Sequence, residues 1–285
     1  MLWVIGFLAL AIVGFTVATR SHVQEASADA ASAEAAALAD AGVNLSIADL
    51  VNAASDRTWR RRFLPDGQTR SCGIGGAVVA IAVSDEAGRV DLNASGEDLL
   101  RALVVGVGRP ADEARILVAR MLDWRDPDST KRPDGAEAAD YRDAGRAGPR
   151  NAPFAAPEEL ARVLGFNSDL FARLRPFVTV YSGLPGVDVG KVSPELIDIL
   201  NGGAANPTTG AATLGQRNRL PPSFAVSSSQ RVFRVQARAT TPRGATFVRE
   251  AVVEVIPGRV TSYTVLAWTR PNAPKNAPAS DLGGC

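Results

Sequence analysis

The pattern of apolar and polar positions changes character several times along this chain. Met1 to Thr19 carries no charged side chain. At about 1.5 Å per helical residue such a run spans roughly 28 Å, close to a bilayer core, so a membrane-spanning helix is expected over 1–19. From Arg20 to about Ala54 the chain is rich in Ala and free of Pro, which predicts one long helix continuing the span. Its apolar face reads as Val23, Ala26, Ala30, Ala33, Ala37 and Ala41, then Val43, Leu45, Ile47 and Leu50. Arg57 to Gly76 is polar and Gly-rich and reads as a connection. Ala77 to Ser84 and Arg89 to Leu92 read as strands separated by an Asp85–Gly88 turn.

A helical block follows. Ser95, with Asp98 three residues on, is a candidate N-cap, Pro157 suits a first helical position, and Ser193-Pro194-Glu195-Leu196 repeats the same small-residue, acid, Leu pattern. Further helices are expected over Ala111–Trp124 and Leu170–Val180, the latter broken by Pro176. Asn201 to Gln230 is Gly, Asn, Pro, Thr and Ser and reads as a mobile surface loop. Arg231–Arg238 alternates, Ala245–Ile256 and Val260–Thr269 are β-rich, and Gly244 and Pro257-Gly258 supply turns, which predicts an antiparallel meander. Strands on both sides of a helical block point to an α+β fold with the block inserted. The expected segments are 1–19, 20–92, 93–183 (the all-α insertion), 184–270, and a disordered tail over 271–285.

Composition narrows the function. Of 285 residues, 46% are hydrophobic and 21% charged, with a net charge of +1, so the whole chain carries no electrostatic signature of nucleic-acid binding. His22 is the only histidine and lies beside the apolar run, which removes Ser-His-Asp and Cys-His catalysis. No phosphate loop, nucleophile elbow or zinc spacing is present, and an enzyme is not expected. The two cysteines, Cys72 and Cys285, are read either as one bridge in an oxidising compartment or as two unpaired thiols.

The stretch richest in candidate chemistry is Asp123 to Tyr141. Asp126 and Asp128 flank Pro127, Gly135 permits a tight bend, and Glu137 and Asp140 are three apart on an incipient helical turn. Asp134 is a weaker candidate, and Asp123 is placed to cap or orient Arg125. Calcium takes six to eight oxygen ligands, and carboxylates so arranged suit it, although the EF-hand pattern is absent. From the residues alone, a solvated acidic loop and a cation site both stay open.

Several motifs in order resemble the general secretion pathway protein K family, the large minor pseudopilin of bacterial type II secretion. They are the hydrophobic N-terminal helix, Val90-Asp91-Leu92-Asn93-Ala94-Ser95, Asp123-Trp124-Arg125-Asp126-Pro127-Asp128, Gly135-Ala136-Glu137, Asp140-Tyr141, Asn151-Ala152-Pro153-Phe154, Glu158-Glu159-Leu160 and Thr179-Val180-Tyr181-Ser182. The resemblance implies a pilin-like sheet domain interrupted by a SAM-like or helix-hairpin-helix-like all-α domain. It also implies a place at the pseudopilus tip, with minor pseudopilins I and J as partners and no nucleic acid or small-molecule substrate. The implied location is the bacterial inner membrane, single-pass, with the C-terminal part in the periplasm. Calcium is the implied cofactor, with Asp126, Asp128, Glu137 and Asp140 as ligands and Asp134 as a further candidate. Two departures are a missing Lys/Arg-rich leader, which puts the start in question, and Val189-Gly190-Lys191 before the third helix start. Two rival readings remain. One is a membrane-anchored helix-hairpin-helix DNA binder, carried by Val105–Gly108 and Leu164-Gly165-Phe166. The other is a generic periplasmic structural protein.

Overall fold

The computed structural model describes residues 2–202, 219–229, 231–258, 262–271 and 280–285. Most of the loop expected over 201–230 lies outside the described residues. The chain divides into two compact units, one of residues 1–84 with 233–285 and one of residues 85–232.

The first unit pairs one long helix with one sheet. Helix α1 (Leu2–Ser55) runs unbroken, as its Ala-rich, Pro-free sequence dictates. The sheet has the order β10-β1-β2-β7-β8-β9. Its strands are β1 (Asp66–Ile74), β2 (Ala77–Asp85), β7 (Val232–Thr240), β8 (Thr246–Val255), β9 (Tyr263–Thr269) and β10 (Ser280–Gly284). Strand β1 runs antiparallel to β2, with Cys72 opposite Val79, and β8 antiparallel to β9. The α1 residues that bury are Ala35, Ala39, Val43, Ile47 and Leu50, against Val79, Ile81, Val235, Ala237, Ala251 and Val253. The expected face holds for Val43, Ile47 and Leu50 but not for the alanine stretch or Leu45: Ala26, Ala30, Ala33, Ala37 and Leu45 are exposed. Alanine on every side offers too little hydrophobic contrast to phase a helix, and the sheet decides which alanines bury. Gly42 sits where α1 comes nearest the sheet, since a Cβ there would lie 2.7 Å from Val79 Cγ1 and 3.2 Å from Ala237 Cβ.

Two stretches read as irregular are strands. The polar segment after α1 contains β1, which lacks β propensity of its own but gains ladder partners on both sides, antiparallel β2 and parallel β10. The tail expected to be disordered contributes β10, and Cys285 bonds to Cys72 as a disulfide. Ladder pairing and the bridge together order a composition that alone would not pack. Residues 272–279 are outside the described set.

A buried carboxylate closes the turn after α1. Asp49 accepts from Trp59 Nε1 at 2.8 Å, from Arg62 N at 3.0 Å and from Phe63 N at 3.0 Å. Across β7 and β8 the Arg234–Glu250 ion pair, 2.9 Å, is also buried.

Among the described residues no helix is long and apolar enough to cross a membrane. The described apolar side chains near the start of α1, including Trp3, Phe7, Leu10 and Phe15, are exposed.

The second unit is built from short helices: α2 (Glu97–Gly106), α3 (Ala111–Arg125), α4 (Ala138–Asp143), α5 (Ser168–Leu174) and α6 (Pro194–Leu200). Short parallel bridges join β3 (Val90–Asp91) to β4 (Val178–Thr179) and β5 (Val187–Asp188) to β6 (Ala225–Val226). Its core is Leu99, Leu100, Leu103, Leu117, Met121, Trp124, Tyr141, Leu160 and Leu170 with their neighbours. Three expectations change here. Gly96, not Ser95, is the α2 N-cap, and Ser95 is fully buried. Pro157–Arg162 is a 3-10 helix rather than an α-helix. The helix expected over Leu170–Val180 is α5, which stops at Leu174 ahead of Pro176, and Val178–Thr179 then turns to strand. Ser193 does cap α6, its hydroxyl accepting from Leu196 N.

Candidate functional site

The segment Val90–Ser95 works as a clasp. Asp91 is fully buried; its Oδ1 accepts from Asn93 N at 2.8 Å and Ala94 N at 3.0 Å, and its Oδ2 from Ser182 Oγ at 3.1 Å and Gly183 N at 2.8 Å. One carboxylate therefore ties residues 93 and 94 to residues 182 and 183. Asn93 pairs through its side-chain amide with the backbone of Phe154, accepting at 2.7 Å and donating at 2.9 Å. Arg125, at the end of α3, donates to the carbonyls of Leu92 and Ser95. Burial holds its guanidinium below the usual arginine range. Asp123 therefore does not orient Arg125.

Asp123 instead staples the acidic loop. It is fully buried and accepts from Ala136 N at 2.9 Å and, more loosely, from Arg132 N at 3.3 Å. Gly135 presses on its carboxylate, so no Cβ fits at that position. Burial raises the Asp123 carboxyl above the ordinary aspartate value, against the opposing effect of these amide donors.

The five candidate ligands divide. Asp134 adopts a left-handed backbone, φ 63°, and pairs with Arg115. Asp140 accepts from Lys131 Nζ at 2.6 Å and from Glu137 N at 2.9 Å, one arm of a capping box at the start of α4. Those two contacts, the lysine first, hold its carboxyl low. Asp128 accepts from Thr130 N at 2.7 Å, which lowers its carboxyl too. Asp126 meets Arg132 Nη2 at 2.7 Å through one oxygen, while its Oδ1 is buried without a hydrogen-bond partner. Glu137 is 7% exposed; its buried carboxylate faces the backbone amides of Ala138 and Asp140 at the start of α4, closing the capping box, and meets no basic side chain in an ion pair among the described residues. Burial pushes the Glu137 carboxyl up, and the negative charges of Asp123, Asp126 and Asp128 push it further.

Asp126 and Asp128 are thus brought within electrostatic reach of Glu137, while Asp126, Asp134 and Asp140 are each engaged by a basic side chain, Arg132, Arg115 and Lys131. Among the described residues no three acid, His or Cys side chains form a ready-made metal cluster. Asn151, which the sequence marked only as part of a motif, adds another buried unpartnered oxygen, Oδ1. Its amide donates to the carbonyl of Asp128 at 2.7 Å. Asp126 Oδ1, the Glu137 carboxylate and Asn151 Oδ1 are each buried oxygen acceptors of the kind a hard cation takes.

The DNA-binding reading gains no support from geometry. Gly106 packs against the backbone of Ile199, and Gly165 against Leu117 and Arg120, so both serve helix packing.

Comparison with known proteins gives three findings. Residues 80–183 match the family model of type II secretion system protein K. No curated protein matches the chain in sequence. A chain in the crystal structure of the GspK–GspI–GspJ complex from the enterotoxigenic Escherichia coli type 2 secretion system is similar in fold. The TM-score is 0.56 at 18% identity, over 90% of this chain and 99% of that one. The likeness to protein K of the type II secretion system carried by the sequence motifs is thereby upheld, on residues 80–183 by sequence and over most of the chain by fold.

Proposed function

We propose that this chain is a minor pseudopilin at the tip of a type II secretion pseudopilus, assembling with minor pseudopilins I and J and supporting export of folded proteins across the outer membrane. The observation that carries this reading is the protein K match over 80–183, which falls on the helical part of the chain and its clasp residues. The second unit then contains the helical domain expected over 93–183, inserted into a pilin-like sheet domain. The exposed apolar start of α1 supports a single-pass anchor in the inner membrane, with the remainder in the periplasm. Co-expression of the full chain with pseudopilins I and J tests the reading. Recovery of a ternary complex is expected, and a chain that stays alone overturns the assignment.

We further propose that a calcium ion binds in the acidic loop, supported by its cluster of carboxylates around Glu137. Asp126 and Glu137 would hold it through their buried oxygens, with Asp128 and Asp140 completing the set once Asp140 gives up Lys131. Asp134 remains with Arg115. A bound divalent cation would neutralise the carboxylates whose mutual repulsion raises Glu137. Titration of the full chain in detergent should release heat with Ca²⁺. At a hundredfold excess over Kd it should stabilise the helical unit by about 2.7 kcal/mol. Glu137→Gln should remove both effects, and a chain with neither heat nor thermal shift overturns the site.

A further inference from the structure

The second unit carries a cleft that neither the calcium site nor the clasp uses. It measures about 650 Å³ and is lined by Trp124, Arg146, Ala147, Gly148, Pro149, Arg150, Glu159 and Arg162. That lies within the range typical of ligand pockets, about 300–1,000 Å³.

The lining is chemically lopsided. Three guanidinium groups face one carboxylate. Arg150 pairs with Glu159, and Arg146 donates to the carbonyl of Ala161 at 2.9 Å. Arg162 is exposed and has no ion-pair partner among the described residues. Between the charges lies an apolar floor. Trp124, 3% exposed, is fixed by Tyr141 and Phe154, whose ring centroids are 5.6 Å and 6.2 Å away.

Two polar atoms of the lining are buried and unsatisfied: the indole N–H of Trp124, a donor, and Glu159 Oε2, an acceptor. Buried polar groups without partners are uncommon and costly. Both atoms are closed off from solvent, so it is the exposed guanidinium groups of the lining that select an occupant. The guanidinium excess selects acidic side chains, because the planar Arg fork matches a carboxylate. The apolar floor selects a hydrophobic neighbour beside the acid.

We propose that this cleft is a docking site for an acidic peptide segment of a partner protein, one that pairs carboxylates with Arg146 and Arg162 and lays an apolar side chain on Trp124. A long polyanion such as nucleic acid fits less well, since it would have to run past the acids of the loop from Asp123 to Asp143. The proposal does not depend on the pseudopilin reading.

The test is fluorescence anisotropy with the full chain in detergent and a fluorescein-labelled Glu-Leu-Glu-Phe peptide. Saturable binding that weakens with salt is expected. Arg162→Glu should weaken it at least about tenfold, and the Arg146→Ala/Arg162→Ala pair should abolish it, with melting temperatures unchanged. Both arginines are exposed, so folding should survive these changes. Equal binding of a Lys-Leu-Lys-Phe peptide, no binding at millimolar peptide, or affinity indifferent to the variants each overturns the proposal. Displacement by equimolar inorganic phosphate overturns it in favour of a simple anion site. Tighter binding of a single-stranded oligonucleotide overturns it in favour of a polyanion surface.

Discussion

The two units solve the problem of cohesion in different ways. The sheet unit has a core of small and β-branched residues, Ala39, Val43, Val79, Ala237 and Val253 among them, and relies on long-range ladders and on a disulfide joining residues 213 apart. The helical unit has a core of large residues, Leu100, Leu117, Met121, Trp124 and Tyr141, yet its helices are short. Helices of six to ten residues, such as α2, α4, α5 and α6, are unstable alone, and their loops carry many backbone groups that need partners. Side chains supply those partners: buried Asp91 and part-buried Asn93 tie separate loops together, and buried Asp123 ties the acidic loop to α3. Where regular pairing is scarce, single carboxylates do the work of a ladder.

The contrast can be broken from either side. The largest effect is expected from Asp91→Ala, which strands four donors at once. It should cost about 3–5 kcal/mol and melt the helical unit selectively, seen as fast hydrogen exchange at residues 93, 94 and 183. Cys72→Ser, or reduction, should lower the sheet unit by about 2–4 kcal/mol and leave exchange in the helical unit unchanged. Gly42→Leu should cost about 1–3 kcal/mol by forcing α1 off β2 and β7, measured by denaturant midpoint.

The smallest effect concerns Asp66. The Arg70 guanidinium holds its carboxyl below the ordinary 3.8. A depressed acid stabilises the fold above its unfolded pKa, and that contribution is lost as pH falls below about 3.8 through the folded value. The pair is solvent-exposed on the aspartate side, so Asp66→Asn should flatten the acid limb of the stability curve by only a few tenths of a kcal/mol.

What the sequence discloses follows the same division. Helices α2 and α3 are legible, α2 from its small-residue, acid, Leu start and α3 from a Pro-free run carrying Ile116, Leu117 and Met121. The buried face of α1 is not, because alanine marks no side. Strand β1, Asp-Gly-Gln-Thr-Arg-Ser-Cys-Gly-Ile, is invisible because its stability belongs to its neighbours. The acidic loop is legible as a loop, but spacing cannot disclose that Lys131, Arg132 and Arg115 engage Asp140, Asp126 and Asp134. Asp91 reads only as part of a strand and a motif, and Asp49 carries no signal at all, each being a lone acid beside apolar residues. A faint signal existed in Asp91-Leu92-Asn93, where an acid two residues before a polar residue suits a side-chain-to-backbone turn.

The pairing of β1 with β10 carries a consequence for time rather than for space. The helical unit is one contiguous segment, 85–232, and all its partners are present once Val232 has been made. The sheet unit cannot complete its edge or its covalent bridge until Cys285 emerges, long after Cys72. Domains fold as units while the chain is delivered, at about 5–20 residues per second. The helical unit is therefore positioned to mature first, and the edge strand β1 waits unpaired on one side through that interval. A chain cut short before residue 280 would keep a formed helical unit and leave β1 as an open template for any other strand.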